Sequence, residues 1–376
     1  MTFTTHRRHL LRLAALAAAS ATFGLPAHAA GDSFRHGKIF ISTNAPAGNE
    51  VLVYQRAEAG AATLLTRVAT NGTGTGAGLG SQGAVTLSRN GRWLFVVNAG
   101  SNSVSTFAVT SGGLLLTSVT PSGGSTPTSV TENGGLVYVL NAGGAGGVAG
   151  FRNVNGVLSA IAGATSGLSA SGGTAPAQVG LSRDGDVLVV TERNTNLVSS
   201  WPVNADGTLG ARTSTASPGA TPFGFAFTRQ DRLVVSEAAG GATNGSSATS
   251  YRFDARSPLV PLPVSRAVAT GQTAACWVAV TPDGRYAYTS NAGSSSLSQF
   301  ALARNGALTL VKGDAGITGP NAGALDAAVT PDGEQLHIFA SRGLQIVSYA
   351  VGEDGALTLL GGVVGMPTGS AGLAAN

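Results

Sequence analysis

Leu87-Ser88-Arg89-Asn90-Gly91-Arg92-Trp93-Leu94-Phe95-Val96-Val97-Asn98 is the stretch on which the fold turns. An apolar residue and a hydroxyl lead into Asn-Gly, both of which tolerate positive φ and so favour a tight hairpin. Residues 93–97 are aromatic and β-branched, the composition of a strand. Working outward, Gly100-Ser101-Asn102 supplies a polar turn and residues 104–109 alternate as a third strand. A second glycine turn leads to a fourth strand at 114–119. The unit is four short antiparallel strands.

It repeats. Copies run through 130–141, from Leu181-Ser182-Arg183-Asp184-Gly185 to Glu192, and from Val280-Thr281-Pro282-Asp283-Gly284 to Asn291. Another runs from Val329-Thr330-Pro331-Asp332-Gly333 to Ala340, and Phe227-Thr228-Arg229-Gln230-Asp231 to Glu237 is a degraded copy. Gly37-Lys38-Ile39-Phe40-Ile41-Ser42-Thr43-Asn44 opens with the second half of a unit only. Seven copies at a period of about 50 residues predict an all-β chain, a seven-bladed β-propeller of four-stranded blades. The missing first strand is predicted in the tail, at 367–373. Pairing it into blade one closes the ring and removes open sheet edges.

Residues 1–29 read as an export leader, so the propeller domain spans 30–376. Arg7-Arg8-His9-Leu10-Leu11-Arg12 resembles a twin-arginine motif, 10–23 is apolar, and Ala27-His28-Ala29 suits cleavage. The same leader also fits the general secretory route, and both predict a periplasmic or secreted protein. The chain carries 22 Lys+Arg against 18 Asp+Glu, and three of the excess cations lie in the leader. Only Lys38 and Lys312 remain as lysines beyond it, too few cations for a nucleic-acid binder. One cysteine, Cys276, excludes an intrachain disulfide or a cysteine-based metal site. No later run is long and apolar enough for a membrane-spanning helix.

Strand parity gathers the ends of the seven second strands on one face: Asn44, Asn98, Asn141, Glu192, Glu237, Asn291 and Ala340. Asparagine there also serves to cap the next turn. Glutamate does not cap in this way, which singles out Glu192 and Glu237.

The Ser/Thr-x-Asp-Gly unit, the apolar run ending in Asn, the Val-Ser-x-Phe strand and the Gly-x-Leu turn together resemble the seven-bladed lactonase propeller family. That family includes propeller-type 6-phosphogluconolactonases and carboxymuconate-lactonizing enzymes, and the unit is also similar to YVTN-type surface repeats. The resemblance covers the chain from about residue 37 onward and implies hydrolysis of a lactone or sugar-acid ester. It also implies Glu192 as a polar group of the active face, with Arg193 beside it. Lactone hydrolysis needs a base to activate water and donors for the oxyanion. Glu192 or Glu237 suits the first role. Arg193 suits the second, as do the amides of Asn44, Asn98, Asn141 and Asn291, the candidate substrate-binding residues. The family's Pro-His pattern is not kept: the corresponding positions are Gly83, Ala177, Phe223, Cys276 and Leu325. The histidines beyond the leader are His36 and His337. No cofactor is implied. Calcium is the metal that Asp326, Glu192, Glu237 and the asparagines would suit. The expected partner is a small lactone or carbohydrate-like ligand. A non-catalytic propeller binding a glycan, peptide or protein on the same face is the alternative. The glycine-rich connections, 72–83 among them, read as solvated loops.

Overall fold

The computed structural model describes Met1, residues 37–254 and residues 257–376, so the leader and His36 lie outside the described residues. The recurrent hydroxyl-x-Asn/Asp-Gly step closes on itself. Ser88 Oγ donates to Asn90 Oδ1 (2.8 Å), which also accepts the Arg92 amide (3.0 Å), while the Trp93 amide donates back to Ser88 Oγ (2.9 Å). Gly91 completes the turn at φ 67°. Thr281 with Asp283, and Thr330 with Asp332, repeat the arrangement. The side chain stands in for a backbone turn partner, and each copy delivers a second strand in register with the first.

Seven such units form seven four-stranded antiparallel sheets. The inner strands of blades one to seven are Ala371–Ala375, Val85–Leu87, Pro127–Asn133, Pro176–Leu181, Pro222–Phe227, Ala275–Val280 and Ala324–Val329. Their second strands are Lys38–Ser42, Trp93–Asn98, Leu136–Asn141, Val187–Glu192, Leu233–Glu237, Tyr286–Asn291 and Gln335–Ala340. The ring closes as predicted, with Ile39, Phe40 and Ile41 opposite Ala375, Ala374 and Leu373. The closing strand starts later than predicted, because Pro367 to Ser370 form a turn in which Ser370 donates twice to the Pro367 carbonyl.

The core lies between blades. On Lys38–Ser42, Ile39 and Ile41 pack with Phe339 and Ile346 of blade seven, while Phe40 packs with Leu94, Val96 and Phe107 of blade two. Both faces of a second strand are therefore buried, which is why these strands read as unbroken apolar runs. Each large apolar side chain so buried contributes about 1.5–3 kcal/mol.

Candidate functional site at the channel mouth

The residues singled out at the strand ends do lie on one face. Asn98, Asn141, Glu192, Glu237 and Asn291 end their strands, and Asn44 stands just past Ser42 at φ 48°. All are buried. Asn98 Nδ2 donates to Ser103 Oγ (3.1 Å) and Ser105 Oγ (2.8 Å) on the third strand. Its Oδ1 accepts from Asn49 (3.0 Å) and Thr70 (2.8 Å) of the preceding blade. Asn291 repeats the third-strand half with Ser296 and Ser298. Asn141 exchanges two bonds with Ser122, which leaves blade two. Asn44 Nδ2 reaches the carbonyls of Ala77 (2.7 Å) and Gly369 (3.2 Å), bridging the closing seam.

Contrary to the expectation that glutamate does not cap in this way, Glu192 and Glu237 form the same clasp with a longer arm. Glu237 accepts from Ser217 Oγ (2.9 Å), the Gly219 amide (2.9 Å), Thr249 Oγ1 (2.6 Å) and Ser247 Oγ. Glu192 accepts from Ser199 Oγ (2.6 Å), Thr195 Oγ1 (3.1 Å), and the Ser169 amide and hydroxyl. A carboxylate offers about four acceptor positions, and both are filled by the protein. The structure keeps Glu192, Glu237 and Asp326 in separate environments. No group of three or more His, Cys, Asp or Glu gathers among the described residues.

Arg193 turns away from Glu192. Its Nε donates to the Ala175 carbonyl (2.9 Å), and its guanidinium lies 5.0 Å from the centre of the Phe223 ring. Phe223 in turn lies 4.9 Å from the Trp277 ring, and Ala177, Cys276 and Leu325 pack around the pair. Four of the five positions that correspond to the family's histidine thus form an apolar wall at the channel mouth. Burial pushes the Cys276 thiol up to about 12, against the pull of Arg193, so it is neutral.

The fifth position, Gly83, belongs to a segment that crosses the channel. This corrects the expectation of a solvated loop at 72–83 for its last three residues, while Thr75, Ala77 and Gly78 are exposed as expected. Fifteen residues connect Ala69 to Val85, where five connect Pro121 to Pro127. Near their end, the Gln82 amide donates to Ala177 of blade four (3.0 Å), and Ser129 Oγ of blade three donates to the Gln82 carbonyl (2.6 Å). The Gln82 side chain grips Val278 of blade six at two points, Nε2 to the carbonyl (2.8 Å) and Oε1 from the amide (3.0 Å). The Trp277 indole donates to the Ser81 carbonyl (3.0 Å), and Ser81 Oγ donates to Thr128 (2.8 Å). One dipeptide joins three blades across the axis. The length of the connection was the available signal.

Against this segment lies Asp326, 3% exposed. Its Oδ2 accepts the Gly372 amide (3.3 Å), and the Gly83 amide and Trp277 indole approach the same carboxyl. Burial dominates these donors and pushes its pKa up to about 7. The sequence marked Asp326 only as a metal ligand. Its protonation depends on neighbours from blades one, two and six, which meet only in the closed ring.

The sequence profile described as "Lactonase, 7-bladed beta-propeller" matches residues 47–152, 145–260 and 246–371. The chain belongs to the seven-bladed β-propeller lactonase family. Its structure resembles that of a candidate 6-phosphogluconolactonase from Bacteroides uniformis (19% identity, 89% of this chain and 99% of that one, TM-score 0.67). It also resembles the periplasmic gluconolactonase of Pseudomonas aeruginosa (18% identity, 89% and 98%, TM-score 0.65) and a functionally unknown protein from Desulfotomaculum acetoxidans (13% identity, 89% and 98%, TM-score 0.68). At these identities the structural likeness speaks for the fold. No curated protein matches the sequence. Within this lactonase-family propeller, no helix is long and apolar enough to cross a membrane among the described residues.

Proposed function

We propose that this lactonase-family propeller is an exported enzyme that opens the ring of a lactone, a sugar-acid ester or a related cyclic ester, at the channel mouth. One observation carries the proposal: Asp326 is a carboxyl buried against the segment that crosses the channel, with the Gly372 amide at 3.3 Å and no hydroxyl donor among the described residues, and burial pushes its pKa up to about 7. A general base is most effective when its pKa lies near the working pH. As carboxylate, Asp326 takes a proton from water as the water attacks the lactone carbonyl carbon. The resulting oxyanion needs a cationic donor, the role proposed for Arg193; the ring C–O bond then breaks and Asp326 returns the proton to the departing alkoxide. Lactone plus one water gives one hydroxy acid.

Arg193 is suited to the oxyanion because Nε is fixed on Ala175, while Nη1 and Nη2 have no protein acceptor among the described residues. Phe223 and Trp277 offer the ring an apolar wall. Glu192, Glu237 and the clasp asparagines then frame the mouth and hold its loops. Export rests on the leader at 1–29.

The test is a pH-stat assay of the mature protein against sugar and aliphatic lactones, with and without EDTA. Metal-independent turnover is expected, falling at least about 100-fold in Asp326→Asn, with kcat and kcat/KM lowered together in Arg193→Met. Turnover abolished by EDTA would relocate the chemistry to a metal. Absence of turnover across the panel would favour a non-catalytic propeller that binds a glycan, peptide or protein on the same face. The closed channel and the burial of Asp326 are the observations on that side.

A further inference from the structure

The crossing segment is built like a plug held by a latch. Gly80 and Gly83, at φ 58° and 85°, bracket Ser81 and Gln82. Both ends of the dipeptide therefore sit in a backbone region that glycine enters without strain. Between these hinges, the Gln82 amide holds Val278 at two points, and the Trp277 indole holds the Ser81 carbonyl. Gly224 of blade five makes room for the latch, since a Cβ there would come within 2.1 Å of Gln82 Oε1. Asp326 lies against this segment through Gly83.

We propose that Gln82 is the latch of a plug controlling access of the cyclic ester to Asp326, and that charge on Asp326 works the latch. The substrate named here rests on the function proposed above; the motion does not. Closed, Asp326 accepts the Gly372 amide, has the Gly83 amide and Trp277 indole beside it, and has no cation paired with it among the described residues. Strand Ala371–Ala375 and residues 81–87 carry no titratable side chain, Ala275–Val280 carries only Cys276, and Tyr286–Asn291 carries Tyr286 and Tyr288, the latter donating to the Gly355 carbonyl and pushed up by burial, so neutral. On the neighbouring second strand of blade seven, His337 forms its hydrogen bond with Ser348 of its own blade. Burial keeps the Cys276 thiol protonated and pushes His337 down to about 3, so both are neutral near pH 7.

Ionised Asp326 is then an uncompensated charge in a dry site. Swinging Ser81 and Gln82 outward hydrates it. With the closed carboxyl at about 7 and the open one at the ordinary carboxylate value, the open fraction rises about tenfold per pH unit between them and is level above.

Hydrogen exchange of the Trp277 indole N–H, followed by NMR on the mature chain, reads the opening directly. The Trp201 indole, bonded to Ser166 Oγ (2.9 Å) away from the channel, is the reference. Gln82→Met keeps the volume and removes both grips on Val278. It should speed Trp277 exchange about tenfold or more while leaving Trp201 unchanged. The ratio of wild-type to Asp326→Asn exchange should climb from pH 5 to 7 and level off. Equal acceleration of both indoles in Gln82→Met, or no acceleration, overturns the latch. A ratio independent of pH overturns the role of Asp326 in it, and this comparison stands even if Gln82→Met does not fold. Turnover measured on the same samples separates the two proposals. Exchange as expected with no turnover refutes the hydrolase and keeps the latch, whereas turnover without the exchange pattern does the reverse.

Discussion

Glu237 and Asp326 are both buried carboxyls within the ring, and they are supported in opposite ways. Glu237 accepts from three hydroxyls and one amide, supplied by the strand beside it and the connection leaving blade four. Among the described residues Asp326 has no hydroxyl donor, one amide at 3.3 Å, and the Gly83 and Trp277 groups nearby. At the second site desolvation dominates the few donors. A carboxylate that the protein has already saturated suits a clasp. One held near neutrality suits proton transfer.

The largest effect separating the two is on turnover. Asp326→Asn should lower lactone hydrolysis by roughly 10²–10⁴-fold, measured as kcat/KM, and raise stability at pH 8 because no carboxyl need then ionise in a dry site. Glu237→Ala should do the reverse to the fold. It strands three hydroxyls and an amide, and urea unfolding should show a loss of about 3 kcal/mol or more. A Glu237→Ala protein as stable as wild type would dissolve the comparison.

A pH series sharpens it. Asp326 is raised from 3.8 to about 7, so the native state holds a proton that the unfolded chain has lost, and stability falls as pH rises from about 4 to about 7. His337 is lowered from 6.5 to about 3 by burial, so the unfolded chain takes the proton first. Stability from that group is present above 6.5 and is lost as pH falls toward 3. Between about pH 4 and 6.5 the two slopes oppose each other. The urea midpoint should therefore rise with pH in Asp326→Asn and fall with pH in His337→Leu. The His337 Nε2 has no partner among the described residues, so removing the ring strands no donor there beyond Ser348 Oγ.

The smallest effect is at Glu192. Glu192→Gln retains one acceptor oxygen for its hydroxyl partners and should cost about 1 kcal/mol, with turnover kept. Loss of turnover with the melting temperature unchanged would instead identify Glu192 as the catalytic base.

Much of this architecture is local. Ser88, Asn90 and Gly91 bond among neighbours in the chain, so a turn needs no tertiary partner, and its recurrence counts the blades. The unbroken apolar run at 94–97 follows from burial on both faces, and the tail strand follows from a ring that is one strand short. The strand ends at Asn98, Glu192 and Glu237 were also legible as one face of the molecule. Their work was not, because Thr70, Ser169 and Ser217 come to them from a different blade. Residues 72–83 show the same division more sharply. Their glycine content reads as a loop, but Ser81 and Gln82 acquire their partners only when blades three, four and six stand around one axis. Asp326 is a single carboxyl in the sequence. Its raised pKa is set by the dryness of a site whose walls lie up to hundreds of residues apart along the chain and meet only on ring closure.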